Sequence, residues 1–307
     1  MNRNPWLLRG LKIAGTVLLL VLILRVIPGE KIWEALRRVP PGILAPMAAV
    51  FLAVHCLGAL KWHLLVNLEQ PLLPIVVSLR CYLTGLFTNT ALPSVIGGDA
   101  MTAAMGMRHS SSKAPIVVGT ILHRLLDSAS LALLVAAGAW LLPSGIDPKL
   151  RTVSQAVLTG AAVISAGALA GLLVARSVAR WPGKLEALRD PVLAVLRKPG
   201  RVMLSMAIGV LMQACFVGIG IWIGSLCGLR MPAGIWLFAW PLAKLAALIP
   251  VSIGGLGARE VALAGLLAPF GVEAALAVSV SLVFSVLVFV GNLLAGAAAF
   301  VVGRASR

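Results

Sequence analysis

The residues of this chain that could do chemistry are ionisable side chains set inside otherwise apolar runs. Arg259 and Glu260 follow the string PVSIGG (250–255) by about one helical turn. Asp99 directly follows the near-identical PSVIGG (93–98), and Asn89 precedes that string in FTNTALP. His123, Arg124 and Asp127 stand together in GTILHRLLDSASL, where i,i+3 and i,i+4 spacing lets Asp127 face both Arg124 and His123 on a helix. Lys244 and Arg80 lie in the runs leading into the two strings. A charge at the centre of a bilayer costs at least about 2.5–3.5 kcal/mol on insertion scales, so these groups are expected to meet one another or a wet cavity. The chemistry they offer is recognition of a charged group. Bond-making would call for clustered carboxylates, an activated nucleophile or a His/Glu zinc pattern. The acidic residues here are few and dispersed, so no metal, no cofactor and no enzyme activity are expected.

Each candidate also has a purely structural reading. Asp99 suits a helix cap, and Arg124 with Asp127 can form a self-contained pair. Asn89 either binds a ligand or satisfies backbone carbonyls freed by the break. Lys244 and Arg80 are expected to snorkel to an interface. As neighbours on a helix, Arg259 and Glu260 point about 100° apart, so each is expected to meet a different partner. The candidate binding set is Asn89, Asp99, Arg124, Asp127, Arg259 and Glu260.

The elements that must hold these residues follow from composition. The 307 residues are 60% hydrophobic and 12% charged, with mean hydropathy +1.01. A water-soluble domain cannot hide that much apolar surface, so the bilayer is the solvent for most of the chain. Apolar runs at 11–28, 42–66, 72–92, 115–142, 153–175, 202–227, 233–249 and 274–302 approach or exceed the ~20 residues of a span. Their apolarity is continuous rather than alternating, and open sheet edges are not tolerated in lipid. The expected fold is therefore an all-α polytopic integral membrane protein of about eight long helices plus two broken or re-entrant segments. Arg25-Val26-Ile27-Pro28 offers no small-x-small cleavage site, so the first run reads as an uncleaved span. The four cysteines sit singly in apolar runs, as small core residues do.

The formal net charge of +16 does not imply nucleic acid, because no soluble basic domain carries it. Seven Lys/Arg cluster at 176–201 against Glu186 and Asp190, as in a cytoplasmic loop under the positive-inside rule. Within it, KLEALRDPVLAVLRK (184–198) reads as an amphipathic stretch on anionic headgroups, or simply as charge that fixes topology.

The order of parts recurs. Each half has two runs, a third ending in Pro-x-x-Ile-Gly-Gly, a short segment (97–107 or 255–268) and a long run. Internal duplication follows, with repeat 1 over about 1–150 and repeat 2 over about 151–307 of one transmembrane domain. Counting 97–107 as a crossing puts the N-terminus, Arg108/Lys113, the 176–201 loop and Arg304/Arg307 on one side. Charge thus favours inverted repeats with both termini cytoplasmic.

Proline removes an amide donor, and paired glycines permit conformations other residues avoid, so Pro93, Gly97, Gly98, Pro250, Gly254 and Gly255 mark broken helices. A helix that resumes inside the membrane presents free amides and partial positive charge, which suit a phosphate or carboxylate. A simple packing kink is the bland alternative.

Asn89-x-x-x-Pro93 running into Gly97-Gly98-Asp99, then Arg124-Leu125-Leu126-Asp127, then Gly254-Gly255-Leu256-Gly257-Ala258-Arg259-Glu260 resemble the lysylphosphatidylglycerol synthase transmembrane-region family. This is the flippase-like half of the multiple peptide resistance factor, also found as stand-alone membrane proteins. The likeness covers essentially the whole chain. It implies a lipid translocase of the bacterial cytoplasmic (inner) membrane, with a central cavity between broken segments. The partners it implies are membrane lipids: a phospholipid, aminoacyl-lipid, glycolipid, or polyprenyl or hopanoid lipid. A homodimer is compatible with it. The soluble aminoacyl-transferase domain of full-length relatives is not among these residues, so lipid aminoacylation is not expected. The alternatives are an intramembrane lipid-modifying enzyme and a lipid-binding scaffold for a lipid-synthesis enzyme.

Overall fold

The structure, a computed structural model, describes residues 37–91, 97–142, 186–247 and 257–305, with the single positions 30, 33, 34, 152, 155, 156, 159, 160 and 183. The expected span at 11–28 lies outside the described residues, as does all of 153–175 but positions 155, 156, 159 and 160, and so do Pro93, Pro250, Gly254 and Gly255. The described residues are helical with no strand among them. Their α-helices are α1 Leu44–Val66, α2 Ile75–Ala91, α3 Gly97–Arg108, α4 Ala114–Trp140, α5 Glu186–Arg197, α6 Pro199–Cys227, α7 Ala233–Ala246, α8 Ala258–Leu267 and α9 Ala274–Ala305.

Among the described residues, four stretches are long and apolar enough to cross a membrane: Pro41–Val66, Ala114–Trp140, Pro199–Cys227 and Ala274–Arg304. The chain is an integral membrane protein. The runs at 72–92 and 233–249 give shorter helices, of 17 and 14 residues.

Local chemistry sets the first reversal among the described residues. A 3-10 turn at Pro41–Ile43 opens α1, and Asn67 closes it. The Asn67 amide donates to the carbonyls of His63 (2.9 Å) and Leu73 (3.1 Å), while its oxygen accepts from the Leu72 and Leu73 amides (2.6 and 3.0 Å). One side chain thus folds a tight turn, and Pro74 starts α2 by accepting from the Ser78 amide at 3.0 Å.

Helices α2 and α3 form an antiparallel hairpin. Asn89 Oδ1 accepts from the Gly98 amide at 2.9 Å, and one helical turn further on, Thr102 packs against Gly85. The backbones approach so closely that a Cβ on Gly85 or on Gly98 would fall on the other residue's carbonyl oxygen. Gly98→Ala is therefore expected to cost about 1–3 kcal/mol as overpacking. Gly200→Ala, where no atom lies within reach of the added methyl, is expected to be neutral or slightly stabilising. Thermal unfolding of the two purified variants checks this, and equal midpoints would refute the close approach.

The main core is aromatic and lies between the two halves: Phe51 of α1, Phe216 of α6, Trp236, Phe238 and Trp240 of α7, and Phe284 of α9. A smaller core joins Ala59 and Trp62 of α1 to Cys81 and Tyr82 of α2 and Ile116 of α4. In the helix packing, α2 lies along α9 and α7 lies along α4. Helices α1 and α6 face one another; α1 also touches α2, α4 and α9, and α6 touches α7, α9 and α4.

The two ends of the bundle differ in charge. At one end α5 packs on α4 and buries Leu193 and Ala194. There Arg197 pairs with Glu69 at 2.9 Å, and Arg201 donates to the carbonyls of Asn67 and Leu68, in the turn that follows α1. The turn after α1, the start of α4 and the basic α5 therefore share one end. At the opposite end Gly234 abuts Leu141, and Arg38 reaches the Cys227 carbonyl at 3.4 Å.

Candidate functional site

A polar tract runs through the apolar bundle from α3 to α8. It begins at the first turn of α3, where Asp99 Oδ2 lies 3.5 Å from Arg124 Nη1 on α4. These two side chains are 29% and 36% exposed, the most open of the charged groups in the tract. One turn along α4, Asp127 receives the ammonium of Lys61, which projects from α1 and is fully buried. The same ammonium sits 3.4 Å from the His123 carbonyl, and His123 Nε2 lies 3.4 Å from Asp127 Oδ2. His123 Nδ1 is buried with no hydrogen-bond partner.

Aromatic rings carry the tract onward. His123 meets Tyr82 edge-on at 5.8 Å, and Tyr82 Oη lies 3.3 Å from His55 Nδ1. His55 in turn packs against Phe216, with centroids 5.2 Å apart. Over the Phe216 ring, at 4.6 Å, sits the ammonium of Lys244 from α7, which donates to Gln213 Oε1 at 2.8 Å. Phe216 meets Phe284 at 6.4 Å, and Phe284 carries the Arg259 guanidinium 5.1 Å from its centroid.

The last cluster closes on itself. Arg259 donates through Nε to Ser281 Oγ (2.9 Å) and through Nη2 to the Ser281 carbonyl (2.9 Å), Glu260 Oε1 (3.2 Å) and Ser285 Oγ. Glu260 is fully buried; its Oε1 also accepts from Ser281 Oγ at 2.9 Å, and its Oε2 accepts from the Gly257 amide at 2.6 Å. That last bond caps α8, whose N-cap Gly257 has φ +84°, a left-handed conformation suited to glycine.

The structure corrects several expectations. Asp127 does face His123, but it does not face Arg124. The long Arg124 side chain leaves toward Asp99 on the adjacent α3, and the desolvated Lys61 occupies the carboxylate instead. Arg259 and Glu260 do not go to different partners. Their Cα–Cβ bonds diverge, yet Glu260 curls back to its own N-cap and so enters the reach of Arg259. Lys244 does not snorkel, because α7 is covered by α4, α6 and α8 and its ammonium ends on Gln213. Arg80 lies near the end of the bundle with its guanidinium against Gly303 of α9. Asn89 satisfies backbone, but an amide rather than a carbonyl: it caps Gly98. Gly97 opens α3.

Sequence reasoning missed Lys61, His55, Gln213, Ser281 and Ser285. The signal for Lys61 was present, since a lysine interrupts the apolar run of α1 as Lys244 does in α7. Among the described residues no three of His, Cys, Asp and Glu converge to hold a metal ion. The arrangement is suited to hold a charged group. Its ions are pre-oriented in pairs, and those at Asp127 and Glu260 are largely buried.

Searches of the curated proteins and of the solved structures return no match. A family model described as the lysylphosphatidylglycerol synthase TM region matches residues 9–296.

Proposed function

The chain belongs to the lysylphosphatidylglycerol synthase TM region family, and from that premise we propose that it is a lipid translocase, moving a polar-headed, phosphate-containing lipid between leaflets. The observation that carries this reading is the charged tract itself. Three ion pairs and a fourth cation inside a membrane bundle are expensive to maintain, and such groups are retained where a charged passenger must be met. The Asp99–Arg124 pair, one-third exposed, is the entry point: its carboxylate and guanidinium meet opposite charges on a headgroup while the lipid tails stay in the bilayer. The reading involves no catalytic step.

The two halves are proposed to be inverted repeats. Exchanging α1 with α6, α2 with α7, α3 with α8 and α4 with α9 maps the main helix contacts onto one another: α2–α9 becomes α7–α4, and α4–α6 becomes α9–α1. The antiparallel α2–α3 hairpin returns the chain to the end where α2 began, the parity an inverted arrangement needs. Rocking of one repeat against the other around the tract would alternate access. The end that carries α5 is proposed to face the cytoplasm, together with the termini, a reading that its basic residues support.

Fluorescent-lipid movement across vesicles containing the purified protein tests the function. Asp99→Asn and Arg124→Ala are each expected to slow movement about tenfold or more, the loss of one charge-assisted contact. Both should leave the fold intact, because each side chain is partly exposed. Wild-type protein that moves no lipid would reject the reading; variants as fast as wild type would reject the entry point.

A further inference from the structure

Lys244 stands apart from every other cation in the tract. Lys61 has Asp127, Arg124 has Asp99 and Arg259 has Glu260. Among the described residues Lys244 has no carboxylate within ion-pairing distance. Its ammonium is held by the neutral oxygen of Gln213 and the face of Phe216. The charged groups that bear most on it are Asp127, Arg124, Arg259 and Lys61, three cations and one carboxylate that is already held by Lys61. With histidines neutral, the tract holds four cations (Lys61, Arg124, Lys244, Arg259) against three anions (Asp99, Asp127, Glu260), so it is one negative charge short.

We infer that Lys244 is the seat of the passenger's phosphate, and that the preferred headgroup is net anionic rather than zwitterionic or cationic. This rests on the translocase reading and deepens it. The physical reason is charge balance in a desolvated space. A buried ammonium without a counter-ion is costly, and a ligand carrying one net negative charge removes that cost on arrival. A zwitterion brings its own cation and leaves the surplus in place, whereas a cationic headgroup enlarges it. Gln213 fixes one N–H of the ammonium and Phe216 screens one side of it, leaving donors to turn toward a phosphate oxygen. The position suits transit, because Lys244 lies between the Asp99–Arg124 pair of one half and the Arg259–Glu260 cluster of the other.

Native mass spectrometry of the full chain, exposed to an equimolar mixture of phosphatidylglycerol and phosphatidylcholine, tests the inference without requiring transport. Wild type is expected to retain phosphatidylglycerol preferentially. Lys244→Met should reduce that preference about tenfold, and Lys244→Arg should preserve it. Because Lys244 leaves no carboxylate unpaired, Lys244→Met is expected to melt no lower than wild type, which separates lost recognition from lost fold. Equal retention of both lipids by wild type, or an unchanged preference in Lys244→Met, would overturn the seat. Displacement of the lipid by millimolar inorganic phosphate would assign the seat to a free anion and overturn the headgroup. Vesicle transport is scored separately: preferential binding with no movement in wild type keeps the anion seat and rejects the translocase.

Discussion

Lys61→Met is expected to destabilise the protein by about 3–5 kcal/mol, the range for removing one partner of a buried ion pair. Lys61 is fully buried on α1, and its ammonium is held by Asp127 and lies near the His123 carbonyl. Methionine fills the same space, so the loss is electrostatic rather than steric. What remains is the Asp127 carboxylate, only 15% exposed, with His123 at 3.4 Å as its nearest charged or chargeable neighbour. Lys61→Met/Asp127→Leu removes both charges and is expected to recover most of the loss, because an apolar pair of similar volume carries no desolvation cost. Unfolding midpoints of wild type, the single and the double variant decide it. A double variant no more stable than the single would show that Asp127 is not the liability. The contrast with Lys244→Met, which strands no carboxylate, makes two buried lysines behave oppositely.

Glu260→Ala is the second large effect, expected at about 3–5 kcal/mol for the stranded guanidinium and a further ~1 kcal/mol for the lost cap. Glu260 holds four donors: the Gly257 amide, Arg259 Nη2, Ser281 Oγ and Ser285 Oγ. Truncation leaves Arg259 with Ser281 and Ser285 as hydrogen-bond acceptors and the Phe284 ring beside it, and frees an amide at the start of α8. Glu260→Gln keeps an acceptor without the charge and should fall between wild type and Glu260→Ala. Arg259→Met/Glu260→Ala should regain the guanidinium share but not the cap. Thermal unfolding of the four proteins orders them; equal midpoints for Glu260→Gln and Glu260→Ala would remove the capping role.

The membrane architecture was legible because it rests on composition and run length, properties that need no partner. The long helices Leu44–Val66, Ala114–Trp140, Pro199–Cys227 and Ala274–Ala305 sit where the apolar runs are. The two shorter helices were also marked, by the Pro-x-x-Ile-Gly-Gly strings that follow them. The identities of most site residues were legible too, because a charge in an apolar run announces itself. Their pairings were not. His123 and Asp127 share one helix face, so sequence spacing found them. Arg124 pairs with Asp99 across two helices and Lys61 with Asp127 across two others, and no spacing along the chain encodes which helices touch. Lys244 was misplaced for a related reason: snorkelling presumes a helix beside lipid, and α7 is wrapped by its neighbours.

At the start of α3 the Gly98 amide is taken by Asn89, and at the start of α8 the Gly257 amide is taken by Glu260. Main-chain dipoles that could have clasped an incoming anion are in part quenched from within, and discrimination shifts to groups encoded one codon at a time. Under the translocase reading proposed above, relatives built on this scaffold would diverge in cargo through isolated replacements, positions 124 and 244 foremost, while the helix starts stay as they are.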